Sequence, residues 1–249
     1  MPSSSELKTY VIVPCYNEEL RLDTDYWNSL TKSLDFNWVF VNDGSTDQTK
    51  SKLEKISNIN VLNLEVNSGK AEAIRAGINY AISRNKDDDL VACYIDSDSA
   101  FQVVDIKRIF EIFQNKTSSG EIESVWASRV ALAGRNITRS TTRHHLARII
   151  ITIIGFVDKN IPYDPQTGFK IFYLRSKEKQ VFAEKFKTRW FFDIEILRRW
   201  EKLTGSKIEI WEEPVNYWYE VGGSKVNKKQ YIRIFKEILH ILLISVKNK

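Results

Sequence analysis

The sequence predicts an α/β fold, a mostly parallel sheet covered by helices on both faces. Short apolar runs alternate with amphipathic segments through about residue 130. The runs are apolar nearly throughout rather than at every second position, as in strands buried on both faces. Each run also stops at a polar cluster: Asn17-Glu18, Asn42-Asp43, Gly69-Lys70, Asp96-Ser97-Asp98 and Arg129. Open sheets of this kind bind ligands beyond the carboxyl ends of their strands. Loop solubility alone would show no preference for one end.

Taken in order, Tyr10 to Val13 is the first strand, ended by Pro14. Asn17 is a plausible N-cap for a helix running toward Leu34. Trp38 to Val41 is the second strand, and Ser45 or Thr46 can cap the helix that follows through Ile56. Ile59 to Leu64 is the third. The helix Ala71 to Ser83 shows an apolar stripe at Ala73, Ile74, Gly77, Ile78, Ala81 and Ile82. Leu90 to Ile95 is the fourth strand, Val103 to Phe113 an amphipathic helix, and Ser124 to Ser128 the fifth strand. Beyond it the pattern is less regular. Arg135 to Phe156 is basic and then apolar. Asp164-Pro165-Gln166-Thr167-Gly168 is a turn before the strand Phe169 to Leu174. Helices follow at Lys177 to Phe186 and from Trp190, with extended segments at Ile208 to Trp211 and Glu213 to Trp218. Gly222-Gly223-Ser224-Lys225 reads as a flexible turn, and a long helix closes the chain from about Lys228 to Val246.

A hydrophobic content of 43% over 249 residues supports one large core, and no repeat or linker divides it. The expectation is a single domain over 1–249, with a flexible stretch at 1–8 and an amphipathic helix at 227–249. Ten glycines and five prolines are too few for collagen-like or low-complexity chains. The net charge of +5 permits an anionic partner without demanding one. The basic residues are not interleaved with aromatics in a nucleic-acid module, so no nucleic-acid partner is expected. Cys15 and Cys93 lie in or at the end of apolar runs and read as buried small hydrophobes. Three histidines exclude most histidine-rich metal sites. The first residues lack an apolar signal core, and no run reaches the roughly 18 apolar residues of a spanning helix. A cytoplasmic chain is therefore expected, working at the inner face of a membrane.

Asp96 and Asp98 stand at i and i+2 at a strand's end. In extended backbone both point to one side, and two close like charges repel. A hard divalent cation, Mg2+ or Mn2+, shared with a phosphorylated ligand would resolve that repulsion. An acidic turn capping the next helix is the plainer alternative. Arg135, Arg139 and Arg143 recur at i, i+4, with Arg148 near that face. On a helix such a stripe is unfavourable unless an anion sits on it; a solvated basic face is the alternative. The terminal helix combines Tyr231, Ile232, Ile234, Phe235, Ile238 and Leu239 with Lys228, Lys229, Arg233 and Lys236. Such a helix suits a membrane interface, with Ile149 to Phe156 as a second apolar surface. It suits packing on the sheet or a dimer contact as well.

Several segments together resemble a known family, the family 2 inverting glycosyltransferases of GT-A fold. Val11-Ile12-Val13-Pro14-Cys15-Tyr16-Asn17-Glu18-Glu19 is similar to its opening strand and loop. Val41-Asn42-Asp43-Gly44-Ser45-Thr46-Asp47 resembles its second nucleotide-binding turn, Asn67-Ser68-Gly69-Lys70 its Asn-x-Gly-Lys segment, and Asp96-Ser97-Asp98 its Asp-x-Asp motif. Asp164 to Lys170, Phe192-Asp193-Ile194-Glu195, Glu213-Pro214-Val215-Asn216 and Gly223-Ser224-Lys225-Val226 resemble the polyprenyl-phosphate branch, nearest the dolichyl-phosphate glucosyltransferases.

The resemblance implies transfer of a sugar, with inversion, from a nucleotide diphosphate donor. UDP-glucose is expected ahead of a GDP-sugar. It implies that Asn17, Glu18 and Asp43 contact base and ribose, with Pro14 in the same donor-binding set and Lys70 near the donor. Asp96 would face ribose or metal, and Asp98 would hold Mn2+ or Mg2+ against the diphosphate. Arg129 and Arg143 match arginines that grip donor or acceptor phosphate. Ser224 and Lys225 either close over the phosphates or form an ordinary hinge turn. A polyprenyl phosphate acceptor is already ionised, whereas a glycan hydroxyl needs a base. Asp193 and Glu195 are the candidates for that base, or else helix-start carboxylates favoured by the dipole. The expected acceptor is a polyprenyl phosphate. The alternatives are a glycan acceptor or a non-catalytic nucleotide-sugar-binding protein.

Overall fold

The computed structural model describes residues 7–86, 88–140, 148–155, 161–221 and 237. Its centre is a seven-stranded sheet in the order β3-β2-β1-β4-β7-β5-β8. The strands are β1 (Thr9–Cys15), β2 (Asn37–Asp43), β3 (Ile59–Leu64), β4 (Leu90–Ile95), β5 (Ser124–Ser128), β7 (Phe169–Leu174) and β8 (Ile210–Pro214). β1 to β4 pair in parallel, and β5 pairs in parallel with β8. β7 runs antiparallel between β4 and β5. A small parallel pair, β6 (Asn136–Thr138) with β9 (Tyr217–Tyr219), flanks the sheet.

Strand alternation divides the core. Val11, Val13 and Phe40 face one side with Trp27, Leu30, Ile106, Ile109 and Phe113. Those partners come from α1 (Thr24–Ser33) and α4 (Val103–Ser118). Ile12, Val39 and Val41 face the other side with Ile74, Ile78, Ile196 and Trp200 from α3 (Lys70–Arg84) and α6 (Phe192–Thr204). A Cβ at Gly77 would lie 2.6 Å from Ile12 Cγ2. The bare glycine thus lets α3 settle directly on β1 and aims its first residue, Lys70, at the sheet's carboxyl edge. Helix α5 spans 148–155; its Ile151 and Ile154 pack on Phe191 and Ile194 at the start of α6.

Several local expectations are corrected. Asn17 does not cap α1: Asp23 does, its Oδ1 accepting from the Asp25 and Tyr26 amides at 2.9 and 3.0 Å. Ser45 and Thr46 do not cap α2 (Thr49–Leu53), where Asp47 Oδ1 accepts from the Thr49 amide at 3.0 Å. The helix expected over Lys177 to Phe186 is a short 3-10 turn, Glu178–Phe182. Arg135 and Arg139 are not on a helix but flank β6. Ser224, Lys225, Arg143 and, apart from Glu237, the helix at 227–249 lie outside the described residues, as do residues 1–6 of the expected flexible start.

Candidate active site

The carboxyl ends of β1, β2 and β4 meet at one edge, and β7 brings its amino end to the same place. Asn17 sits at φ 51°. Its amide donates to Ser45 Oγ at 3.0 Å and its Oδ1 accepts from the Thr46 amide at 2.9 Å. The Glu18 amide donates to Thr49 Oγ1 at 2.7 Å. The loop after β1, which follows Pro14 in the strand, is therefore fastened to the loop after β2. The Glu18 carboxylate is buried and ion-paired with Arg21, while its Oε2 has no hydrogen bond among the described residues. Burial raises its pKa, Arg21 opposes, and Asp98 and Asp96 push it up further.

Asp43 at the end of β2 accepts from the Ser68 and Gly69 amides at 2.8 and 2.7 Å. It so fixes the turn that opens α3. Gly44, at φ 64°, is a site where a Cβ would lie 2.6 Å from the Val66 carbonyl carbon, so the two turns touch backbone to backbone. Lys70 Nζ reaches Asp96 Oδ1 at 2.5 Å. Burial works against its ammonium, but Asp96, with Asp193 and Asp98 beyond, outweighs that and raises its pKa.

Asp96 directly follows β4 and Asp98 lies in the turn after it, so the extended backbone assumed for the i, i+2 pair stops short of Asp98. Asp98 makes no ion pair among the described residues; its Oδ1 accepts from the Ala100 amide at 3.3 Å. Burial and then the Asp96 charge raise its pKa. One tyrosine and one tryptophan side chain of α1 hold this loop. Trp27 Nε1 donates to Ser97 O at 3.0 Å and the Tyr26 hydroxyl to Phe101 O at 2.6 Å. No group of three or more His, Cys, Asp or Glu is placed to hold a metal among the described residues. What the chain offers is two hard, half-buried carboxylates, one of them repelled by its neighbour and lacking an ion pair. That donor set fits Mg2+ or Mn2+, whose other ligands come from a ligand phosphate and water.

β7 supplies a residue to which the motifs assigned no role. Lys170 is fully buried, its Nζ 2.8 Å from Asp193 Oδ1 and 2.5 Å from Thr167 O. It lies over the rings of Trp126 and Tyr94, and the Tyr94 hydroxyl also donates to Asp193 Oδ1. Burial lowers the Lys170 pKa, with Asp193 opposing. A lysine within an otherwise apolar strand run was the available signal, because lysine is almost never buried unpaired. Gly168, just before β7, accepts from the Asp96 amide at 2.9 Å, and a Cβ there would lie 2.0 Å from Asp96 Oδ2.

Arg129, after β5, forms a bidentate pair with Asp164, Nε to Oδ2 at 2.8 Å and Nη2 to Oδ1 at 2.7 Å, and stacks over Trp218. Burial alone would raise the Asp164 pKa, but Arg129 overrides it and holds it at about 2. Glu195 is turned away from this cluster. It accepts from the Lys187 and Thr188 amides, Thr188 Oγ1 and the Arg199 guanidinium. The structure thus brings Glu18, Lys70, Asp96, Asp98 and Asp193 together, with Arg129 beside them. Asp43 holds the turn that opens α3, and Glu195 stands apart.

The family model for glycosyl transferase family 2 matches residues 10–182. A dolichyl-phosphate beta-glucosyltransferase from Dictyostelium discoideum is 32% identical over 93% of this chain and 72% of its own length. One from Drosophila melanogaster is 29% identical over 91% and 71%. Among solved structures, glucosyl-3-phosphoglycerate synthase from Mycobacterium tuberculosis, crystallised with Mn2+, UDP-glucose and phosphoglyceric acid, has a TM-score of 0.63 at 15% identity, covering 96% of this chain and 80% of that one. S. aureus TarS in complex with UDP has a TM-score of 0.58 at 19% identity, covering 97% and 66%. At such identities the two structures speak for the fold. The family match runs over most of the chain and through every strand end described above, so the chain belongs to glycosyl transferase family 2 and is a glycosyltransferase of GT-A fold.

Proposed function

We propose that this glycosyltransferase is metal-dependent and inverting, and that it moves glucose from UDP-glucose to a polyprenyl phosphate. The observation that carries the reading is Asp98, a half-buried carboxylate beside Asp96 with no ion pair among the described residues, at the strand end where the loops after β1 and β2 converge. The dolichyl-phosphate beta-glucosyltransferase relatives support the sugar and the acceptor. The Mn2+ and UDP-glucose complex of the mycobacterial enzyme supports the donor and the metal.

On this reading the loop at Pro14, Asn17 and Glu18 and the turn held by Asp43 receive base and ribose. Asp96, kept in place by Lys70, orients the ribose side. Asp98, with Asp96, would hold Mg2+ or Mn2+. When bound, the cation supplies countercharge for the departing nucleoside diphosphate. Lys70 and Arg129 add fixed positive charge on either side, and Arg143 belongs to the same set by position. Ser224 and Lys225 would close over the phosphates.

The carboxylates also speak to the acceptor. Asp193 is tied to Lys170 and Tyr94, and Glu195 to two backbone amides and Arg199, so neither stands free as a base. A phosphate nucleophile, already ionised at neutral pH, needs none. Asp193 then positions Lys170, and Glu195 orders the loop before α6. No helix among the described residues is long and apolar enough to cross a membrane. Ile149 and Ile153 are exposed one turn apart on α5, next to Arg148, and suit a membrane surface at its cytoplasmic side.

The test is a panel of nucleotide sugars with and without Mn2+, followed by transfer of labelled glucose to a polyprenyl phosphate. UDP-glucose with Mn2+ should raise the melting temperature, and the label should enter the organic phase. No shift with any UDP- or GDP-sugar would sink the donor reading. A water-soluble product would move the acceptor to a glycan. Flotation with anionic liposomes at low salt tests the membrane contact; no recovery with the vesicles would remove it.

A further inference from the structure

Four consecutive backbone amides, 187 to 190, are taken up by two buried carboxylates from distant parts of the chain. Glu195 of α6 accepts from Lys187 and Thr188 at 3.0 and 2.9 Å. Glu237, only 7% exposed, accepts from Arg189 at 3.1 Å on Oε1 and from Trp190 at 2.8 Å on Oε2. Amide donors to an ionised acceptor make strong hydrogen bonds, so the loop has one conformation while both carboxylates are in place.

That loop carries Arg189 onto the donor turn. A Cβ at Gly69 would lie 2.5 Å from Arg189 Nη2 and 2.6 Å from Nε, so the guanidinium rests on the bare face of Gly69. Its Nη2 also donates to Asn67 Oδ1 at 3.2 Å. Gly69 is the residue whose amide Asp43 accepts and whose neighbour Lys70 reaches Asp96. Elsewhere a cleft lined by Ser68, Ala71, Lys185 and Phe186 separates loop from turn. Arg189 is therefore the strut across it.

We infer that Glu237 is a positioning residue for donor binding, acting by fixing Arg189 against the donor turn. The inference rests on the reading of Asp43, Lys70 and Asp96 as the donor side. Arg189 does two things there. It packs the turn so that Lys70 stays on Asp96, and it brings a planar cation suited to a nucleoside diphosphate to the rim of the site. Glu237 sets the loop that places it, so a residue far along the chain from the Asp-x-Asp motif tunes affinity for the nucleotide.

Calorimetric titration of UDP with Mn2+ into the full chain tests this. Glu237→Gln puts an amide donor against backbone N–H groups; Arg189→Ala removes the strut. Each should weaken UDP binding about tenfold. The double variant should bind no more weakly than Arg189→Ala alone, because both act through one contact. Arg189→Lys should recover part of the loss, since it keeps the charge but not the planar fork. A merely structural Glu237 would lower the melting temperature and leave the affinity of the folded fraction unchanged, which overturns the inference. Additive losses in the double variant overturn the route through Arg189. Should Glu237→Gln not fold, unchanged UDP affinity in Arg189→Ala, an exposed position, overturns it equally. Failure of the wild-type chain to bind UDP with Mn2+ would instead remove the donor reading itself.

Discussion

Asp164→Asn is expected to destabilise the protein by about 2–4 kcal/mol at neutral pH, and the deficit is expected to shrink in acid. The carboxylate accepts three hydrogen bonds from Arg129, from its amide, Nε and Nη2, at 2.9, 2.8 and 2.7 Å, and its side chain is 9% exposed. Its folded pKa of about 2 lies below the ordinary 3.8. That difference is worth about 2.4 kcal/mol by linkage. Removing one partner of a largely buried pair costs about 3–5 kcal/mol, because the other charge is left behind. Because the folded pKa is the lower one, the stabilisation is complete above the unfolded value and fades as pH falls toward 2. About half of the linkage contribution should remain near pH 3. Urea unfolding of both proteins, followed by tryptophan fluorescence from pH 7 to pH 3, measures the gap directly. A variant as stable as wild type at pH 7, or a gap that does not narrow by pH 3, would refute the argument.

Three further outcomes are expected. Asp98→Ala should abolish metal-dependent turnover, with the melting temperature and circular dichroism of the fold retained; near-normal activity would remove Asp98 from the metal corner. Gly168→Ala places a methyl group 2.0 Å from where Asp96 Oδ2 now lies, so UDP-sugar affinity should fall at least tenfold for about 1–3 kcal/mol of overpacking cost; unchanged affinity would show that Asp96 need not stay where it is. Lys170→Met strands the Asp193 carboxylate without its buried cation and should cost about 3–5 kcal/mol. Chemical denaturation reads this, and a loss under about 1 kcal/mol would mean that Asp193 takes up a proton in compensation.

The first half of the fold was legible because β1, β2 and β4 are buried on both faces and read as nearly unbroken apolar runs. Asp96 and Asp98 were legible as neighbours because they are close in sequence, although a turn rather than a strand joins them. Other features were not. Asn17 and Asp23 carry equivalent capping chemistry six residues apart, and only tertiary contacts to Ser45 and Thr46 decide that Asn17 fastens a loop. The spacing of Arg135 and Arg139 suited a helix, but positions i and i+4 also share a face in a strand. β6 took the residues between them. The insertion of β7 between β4 and β5 depends on long-range pairing that no local pattern encodes. For the same reason Lys170 and Asp193, which lie in separate motifs, become partners only in the folded chain. Glu195 read from its motif as either a base or a helix-start carboxylate, and only the folded chain shows it accepting from the Lys187 and Thr188 amides.

The antiparallel seating of β7 has a consequence for how substrates come and go. Its ladder with β4 runs from Leu90 opposite Leu174 to Ile95 opposite Phe169 and continues one bond further, from the Asp96 amide to Gly168 O. β4 and β7 are thus stitched together at the candidate site itself, where many two-lobed enzymes keep a hinge. A floor sewn in this way does not part. On the proposed reading, nucleotide and acceptor come and go above this seam, past the loops after β1 and β2 and the segments around Arg129 and Arg189, none of which is a strand of the sheet. The seam holds Asp96 in register while traffic passes above it.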